Sequence, residues 1–139
     1  MDKGAIQMNV LFWLTPKEKV AFIYNDSTLR QALENMEIYR YSTIPILDRE
    51  GHYYGTISEG DLLWYIKEYK IDFKKSEKIK INDIPRKKDN KKITVNTQME
   101  DIFSVAALQN FIPVVDDYDF FIGIITRKSI FEYILNKSS

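Results

Sequence analysis

The chain has 139 residues, 45% of them hydrophobic, which fits one globular domain or two small units and excludes a disordered chain. Its 20 Lys and Arg balance 20 Asp and Glu, so no net field draws it to nucleic acid or to an anionic membrane. Without cysteine, disulfide scaffolds, thiol nucleophiles and cysteine zinc sites are excluded, and a single histidine, His52, leaves no multi-histidine metal site and a poor basis for a Ser-His-Asp relay.

In chain order, the apolar stretch Met8 to Leu14 is too short to cross a membrane and stops at Thr15-Pro16. No signal-peptide pattern is present, and a cytoplasmic protein with no membrane partner is expected. Val20 to Tyr24 reads as a short strand of branched and aromatic residues. Asn25-Asp26-Ser27-Thr28 supplies helix caps, and Leu29, Ala32, Leu33 and Met36 follow at the spacing of an amphipathic helix. Ile44 to Leu47 and Tyr53 to Ser58 predict two strands joined by the turn Asp48-Arg49-Glu50-Gly51. A second helix is expected from Asp61, with Leu62, Tyr65, Ile66 and Tyr69 on one face. His52, beside Gly51, is expected to be an exposed loop residue.

Lys67 to Lys92 differs in character, with eleven basic residues against five acidic ones. Such a charge run is usually a solvated face. Arg86-Lys87-Lys88 could still reach a cleft, although a nucleic-acid role is not expected. Within this stretch, Ile79 to Arg86 resembles Asn9 to Pro16: each is an apolar lead-in that stops at or next to a proline. After it, Ile93-Thr94-Val95 predicts a strand, and Thr97-Gln98-Met99-Glu100 has the spacing of a capping box. Met99, Ile102, Phe103 and Ala106 form a helical stripe. Ile112 to Val115 and Phe120 to Thr126 predict a second hairpin, and the last helix turns Ile130, Tyr133 and Ile134 inward.

These elements are two copies of one pattern. Pro45 and Pro113 are 68 positions apart, and so are Gly55 and Gly123, with no gap between residues 41–66 and 109–134. Each copy reads strand–helix–strand–strand–helix. Neither is large enough to bury its own apolar face well, so the copies are expected to pack sheet to sheet about a pseudo-twofold axis. The fold class is α/β (α+β), with repeats at 8–70 and 71–139 forming one module.

The two Ile-Pro-[Ile/Val]-[Leu/Val]-Asp strands, the two Gly-x-Ile-[Ser/Thr] strand ends, and Gly55, Ser58 and Asp61 together resemble the CBS domain family. That family is named after cystathionine β-synthase, and the arrangement here is its tandem or Bateman form. The likeness covers about residues 8 to 136 and is nearest to the small stand-alone CBS-pair proteins of Firmicutes, some of which bind cyclic di-AMP. It implies a homodimer that binds an adenine nucleotide (AMP, ADP, ATP or cyclic di-AMP) between its copies. It also implies a regulatory protein and no enzyme, which needs no cofactor and signals to a separate effector protein. The resemblance further places the nucleotide against Lys19, Ala21, Tyr41, Ile44, Pro45, Ser58, Asp61, Phe111, Ile112, Pro113, Thr126, Arg127, Lys128 and Ser129.

The chemistry of these residues fits that assignment. Ser58 and Thr126 put a hydroxyl beside the open amides of a helix, a combination that favours phosphate. Asp61 could hold ribose hydroxyls, whereas Ser129 stands where the family has an aspartate. Arg127 and Lys128 would attract phosphate, so the phosphates are expected near Thr126. Tyr41 could stack on a base, and Ile44-Pro45 and Ile112-Pro113 would wall the adenine. The same residues also have plain structural readings: helix caps for Ser58 and Thr126, charge compensation for Asp61, and core for Tyr41 and Phe111. Trp13 and Trp64 read as packing or interface residues. A structural dimer with empty clefts, and an enzyme acting on nucleotides, are the alternatives. For the enzyme, no glycine-rich phosphate loop or two-metal acidic cluster is present.

Overall fold

In a computed structural model, the structure describes residues 10–138. Met8 and Asn9, where the first lead-in is expected to begin, lie outside the described residues. Among the described residues there are seven strands: β1 (Thr15–Pro16), β2 (Ile23–Tyr24), β3 (Thr43–Leu47), β4 (Tyr53–Ser58), β5 (Ile93–Thr94), β6 (Phe111–Val115) and β7 (Phe121–Thr126). The described residues also form the α-helices α1 (Leu29–Tyr39), α2 (Glu59–Tyr69), the single turn α3 (Phe73–Ser76), α4 (Met99–Ala106) and α5 (Arg127–Ser138). The strands form two sheets, ordered β2-β3-β4 and β1-β7-β6-β5.

The duplication is present in the backbone. In each sheet a short strand runs parallel to the first hairpin strand, and the hairpin is antiparallel. Both hairpins shift register at the same place, between Ile46 and Leu47 and between Val114 and Val115. Gly51 and Asp119, also 68 apart, both take positive φ at the hairpin turns, 98° and 71°. Four buried pairs follow the same offset: Ile44 with Ile112, Ile46 with Val114, Ile57 with Ile125, and Leu62 with Ile130.

The chain divides into two compact units, Ala21–Asp89 and a flanking unit that joins Asn90 onward to the described residues up to Val20. These differ from the stretches 8–70 and 71–139 in one respect: each lead-in serves the other copy. In the 21–89 unit, Ile81 and Ile84 complete the core. The Leu29 amide donates to the Ile79 carbonyl at 2.8 Å, and the Ile81 amide to the Ser27 carbonyl at 2.8 Å. In the flanking unit, Val10 and Trp13 fill the matching places, and Thr15–Pro16 pairs antiparallel with Ile124 and Gly123. Both lead-ins make one 3₁₀ turn closed by a 3.0 Å bond, Trp13 amide to Val10 carbonyl and Ile84 amide to Ile81 carbonyl.

Several local expectations are corrected. The strand expected over Val20 to Tyr24 shrinks to Ile23–Tyr24, and α2 starts at Glu59, two residues before Asp61. The capping box expected at Thr97 does not form. Thr97 Oγ1 instead accepts the Thr94 amide in the preceding turn, and Gln98, which precedes α4, makes no side-chain cap. Two other boxes are complete: Thr28 with Gln31 at α1, and Ser58 with Asp61 at α2. On the helical stripes, Leu33 and Phe103 lie at exposed rims, and Val105 is buried in Phe103's stead. Trp13 is buried against Tyr133, with ring centroids 4.7 Å apart, whereas Trp64 is 63% exposed. His52 is half-buried, not exposed, with Nδ1 3.0 Å from Asp48 Oδ2.

Candidate functional site

The start of α2 is built from the Gly-x-Ile-Ser strand end. Ser58 leaves β4 in extended conformation, and its Oγ accepts the Asp61 amide at 3.0 Å. Asp61 Oδ2 accepts the Ser58 amide in return at 3.0 Å, which closes the box. The other oxygen, Asp61 Oδ1, accepts the Lys87 amide at 3.1 Å. The Glu59 amide donates to the Ser42 carbonyl at 2.9 Å, so the chain just after Tyr41 is tied to the same helix start.

A groove of about 540 Å³ opens there, between the exposed face of α2 and the chain at Pro85 to Lys87. Ser58, Asp61, Arg86 and Lys87 supply its polar groups; Trp64, Tyr65 and Tyr69 supply aromatic wall, and Glu68 a second carboxylate. One turn of helix separates Asp61 from Trp64 and Tyr65, so the wall follows from helical spacing. The Arg86 guanidinium is held by two bonds to Asp89, Nε to Oδ1 at 2.8 Å and Nη2 to Oδ2 at 3.2 Å. It also lies 5.1 Å from the centre of the Tyr54 ring. Burial pushes the Asp89 carboxyl up, but the Arg86 bonds, the Thr56 amide and the Arg86 charge outweigh it and hold the group below its ordinary value. Burial and the nearby Asp89 charge push the Tyr53 phenol up.

The flanking unit repeats this groove with other chemistry. Its lining includes Ser129, Glu132, Tyr133 and Asn136, each 68 positions after Asp61, Trp64, Tyr65 and Glu68, together with Phe12 to Thr15 of the lead-in. Thr126 Oγ1 accepts the Ser129 amide at 3.2 Å and lies 3.0 Å from Ser129 Oγ. Hydroxyl therefore faces hydroxyl where the 21–89 unit has a carboxylate. Arg127 Nε donates to the Ala106 carbonyl at 2.9 Å, across to the end of α4, and Lys128 is exposed.

The remaining expected site residues divide between the units. Ala21, Ile44 and Pro45 are buried in the 21–89 unit, where Pro45 lies opposite Thr56 in the hairpin. Tyr41 is exposed and parallel to Tyr39, with centroids 6.2 Å apart and planes 9° apart. In the flanking unit Phe111, Ile112 and Pro113 are buried in β6, and Phe111 is the register partner of Thr126. Lys19 is exposed at the end of a 3₁₀ turn. The structure thus joins Ser58 to Asp61 and Thr126 to Ser129 through direct bonds. Asp89, Trp64 and Glu68 were not among the expected site residues, whereas Arg86 and Lys87, expected only as cations that could reach a cleft, line the groove. The signal for Trp64 and Glu68 lay at three and seven residues beyond Asp61 on one helix.

A different cluster lies on the β3–β4 turn, where one donor atom each from Asp48, Glu50 and His52 falls within 4.8 Å of the others. Its core is turn chemistry. Asp48 Oδ1 accepts the Glu50 and His52 amides, and Asp116 does the same for Tyr118 and Phe120 in the other hairpin.

Residues 14–68 and 81–136 each match the CBS domain profile. The chain belongs to the CBS domain family. Comparison with curated proteins gives no match. Among solved structures, this CBS pair is similar to the CbpB protein of Listeria monocytogenes in complex with c-di-AMP, at 28% identity and TM-score 0.81, over 94% of this chain and 97% of that one. It is similar to a hypothetical conserved protein of Geobacillus kaustophilus at 27% identity and TM-score 0.83, over 96% and 99%. A CBS domain-containing protein of Bacillus anthracis gives 26% identity and TM-score 0.80, over 99% of each chain. No described helix is long and apolar enough to cross a membrane.

Proposed function

We propose that this protein is a regulatory CBS pair that binds an adenine nucleotide, with cyclic di-AMP as the first ligand to test. The observation that carries this reading is the full-length likeness to the Listeria CbpB protein, whose structure holds c-di-AMP. The geometry supports it. Ser58, Asp61, Arg86 and Lys87 gather hydroxyl, carboxylate and cations at one helix start, and aromatic rings continue the groove. A phosphate suits the cations, a ribose suits the carboxylate, and a base suits the rings.

The second copy departs from the first in a way that bears on ligand choice. With Ser129 in place of a carboxylate and Arg127-Lys128 beside it, the start of α5 is suited to phosphate and poorly suited to two ribose hydroxyls. A cyclic dinucleotide, whose ribose hydroxyls are partly esterified, meets that condition. Lys19, Ala21, Tyr41, Ile44, Pro45, Phe111, Ile112 and Pro113 are proposed to complete the adenine contacts. The protein is proposed to act in the cytoplasm as a homodimer, and to pass its signal to a separate effector protein. A ligand can shift such a signal only by its difference in affinity for the two states.

Calorimetric titration of cyclic di-AMP, AMP, ADP and ATP tests the reading, with a thermal melt beside it. Ligand at about 100 times its dissociation constant adds roughly 2.7 kcal/mol. Arg127→Ala is expected to weaken binding, and unchanged affinity removes the phosphate assignment at α5. No heat and no thermal shift with any of the four nucleotides favours empty clefts. Nucleotide consumed during incubation, followed by chromatography, favours an enzyme.

A further inference from the structure

The Asp61 carboxylate, which the nucleotide reading assigns to ribose, is already in use. Oδ2 closes the capping box, and Oδ1 accepts the Lys87 amide at 3.1 Å. Lys87 itself lines the same groove. A second carboxylate fastens the same segment two residues later. Asp89 Oδ1 accepts the Thr56 amide at 3.0 Å, and Asp89 holds Arg86, the groove's guanidinium. Between the buried Ile84 and the last residue of the unit, Asp89, the chain has no helix or strand and lies against α2 and β4.

We propose that Pro85–Asp89 is a strap that a nucleotide must displace, because sugar hydroxyls compete with the Lys87 amide for Asp61 and phosphate competes with Asp89 for Arg86. The proposal rests on the nucleotide reading above and adds its output. A bound nucleotide removes the Lys87 anchor directly. Drawing Arg86 toward phosphate strips Asp89 of its cation, which leaves the Thr56 amide as the last link. Occupancy of the groove is then converted into loosening at Asp89, where the 21–89 unit ends. Among the described residues the flanking unit has no such device: the strand Thr15–Pro16 covers the matching edge through backbone pairing. The two grooves therefore differ in response, and only the one at Asp61 reports on its ligand through the chain.

Amide hydrogen exchange by NMR, with and without saturating cyclic di-AMP or AMP, tests this on the unmodified protein, with binding followed separately by calorimetry. Exchange at Lys87 and Thr56 is expected to speed up by about tenfold on binding, as these bonds are released. Asp89→Asn, which keeps an acceptor for Thr56 but loses the ion pair, is expected to bind nucleotide roughly three- to tenfold tighter, because the strapped state is less populated. Binding that leaves these two amides unchanged or better protected overturns the strap and leaves the nucleotide reading standing, as does an Asp89→Asn affinity no tighter than wild type. Absence of binding to both proteins overturns both.

Discussion

The carboxylate of Asp89 sits against Gly55 just as the backbone of Thr15 sits against Gly123. A Cβ built on Gly55 would come within 2.5 Å of Asp89 Oδ1, and one on Gly123 within 2.2 Å of the Thr15 carbonyl oxygen. The two glycines, 68 positions apart, thus serve one purpose by different means. Each lets something approach the outer edge of the second hairpin strand and pair with its amides. In one unit that partner is a strand; in the other it is a single side chain.

Gly123→Ala should therefore cost more than Gly55→Ala. At Gly123 the obstruction is backbone, and φ is 155°, so about 2–4 kcal/mol is expected from chemical denaturation. At Gly55 the obstruction is the end of a side chain that can move away. Moving it strands the amide of Thr56, a residue 1% exposed, at about 1–2 kcal/mol. A double-mutant cycle makes the point sharper. Gly55→Ala on top of Asp89→Ala should add little, and full additivity would show that the methyl meets something other than Asp89.

The charge on Asp89 has a pH consequence. Its carboxyl titrates below the ordinary value, so its stabilising contribution is present above the unfolded value of about 4 and is lost as pH falls through the lower folded value. Melting temperatures of wild type and Asp89→Asn between pH 3 and 7 should show a gap at neutral pH that narrows below pH 4. A gap that stays constant to pH 3 means that the charge is not what Asp89 contributes.

Much of this arrangement was legible in the chain itself, and the parts that were not share a cause. The repeat of Ile44-Pro45 and Ile112-Pro113, and of Gly55 and Gly123, located both hairpins because strand patterns and turns are local. The exchange of lead-ins was not legible. Val10 and Trp13 have the same spacing as Ile81 and Ile84, so either pair could fill either core, and only three-dimensional closure decides. Thr97 misled for a related reason. Its hydroxyl had two amides within reach, and the turn at Thr94 took it before the helix did. Asp89 was hidden in a stretch of eleven basic residues, where an acidic residue reads as charge balance. Its partners, Thr56 and Gly55, lie more than thirty positions away.

The second lead-in gives a direct test of the exchange. Ile81 is fully buried among Ile23, Leu29 and Ile57 of the 21–89 unit. Ile81→Ala should cost about 2–5 kcal/mol, the range for a large aliphatic side chain removed from a closed core. A cost below 1 kcal/mol would mean that the segment does not belong to that core.

Ser129→Asp tests the asymmetry between the copies from the opposite side, by gain and not by loss. Position 129 is the third residue of α5, as Asp61 is of α2, and Thr126 already accepts its amide. A carboxylate there would reach back to the Thr126 amide and complete the box that Ser58 and Asp61 make. It would also face the positive end of the α5 dipole, where Arg127 and Lys128 now stand unfavourably. Stability should rise by about 0.5–1 kcal/mol in chemical denaturation. If the start of α5 is a phosphate site, the same substitution should weaken cyclic di-AMP at that unit, since the new charge repels the anion. A gain in stability with no loss of affinity separates the two roles: the position caps the helix, and the phosphate binds elsewhere.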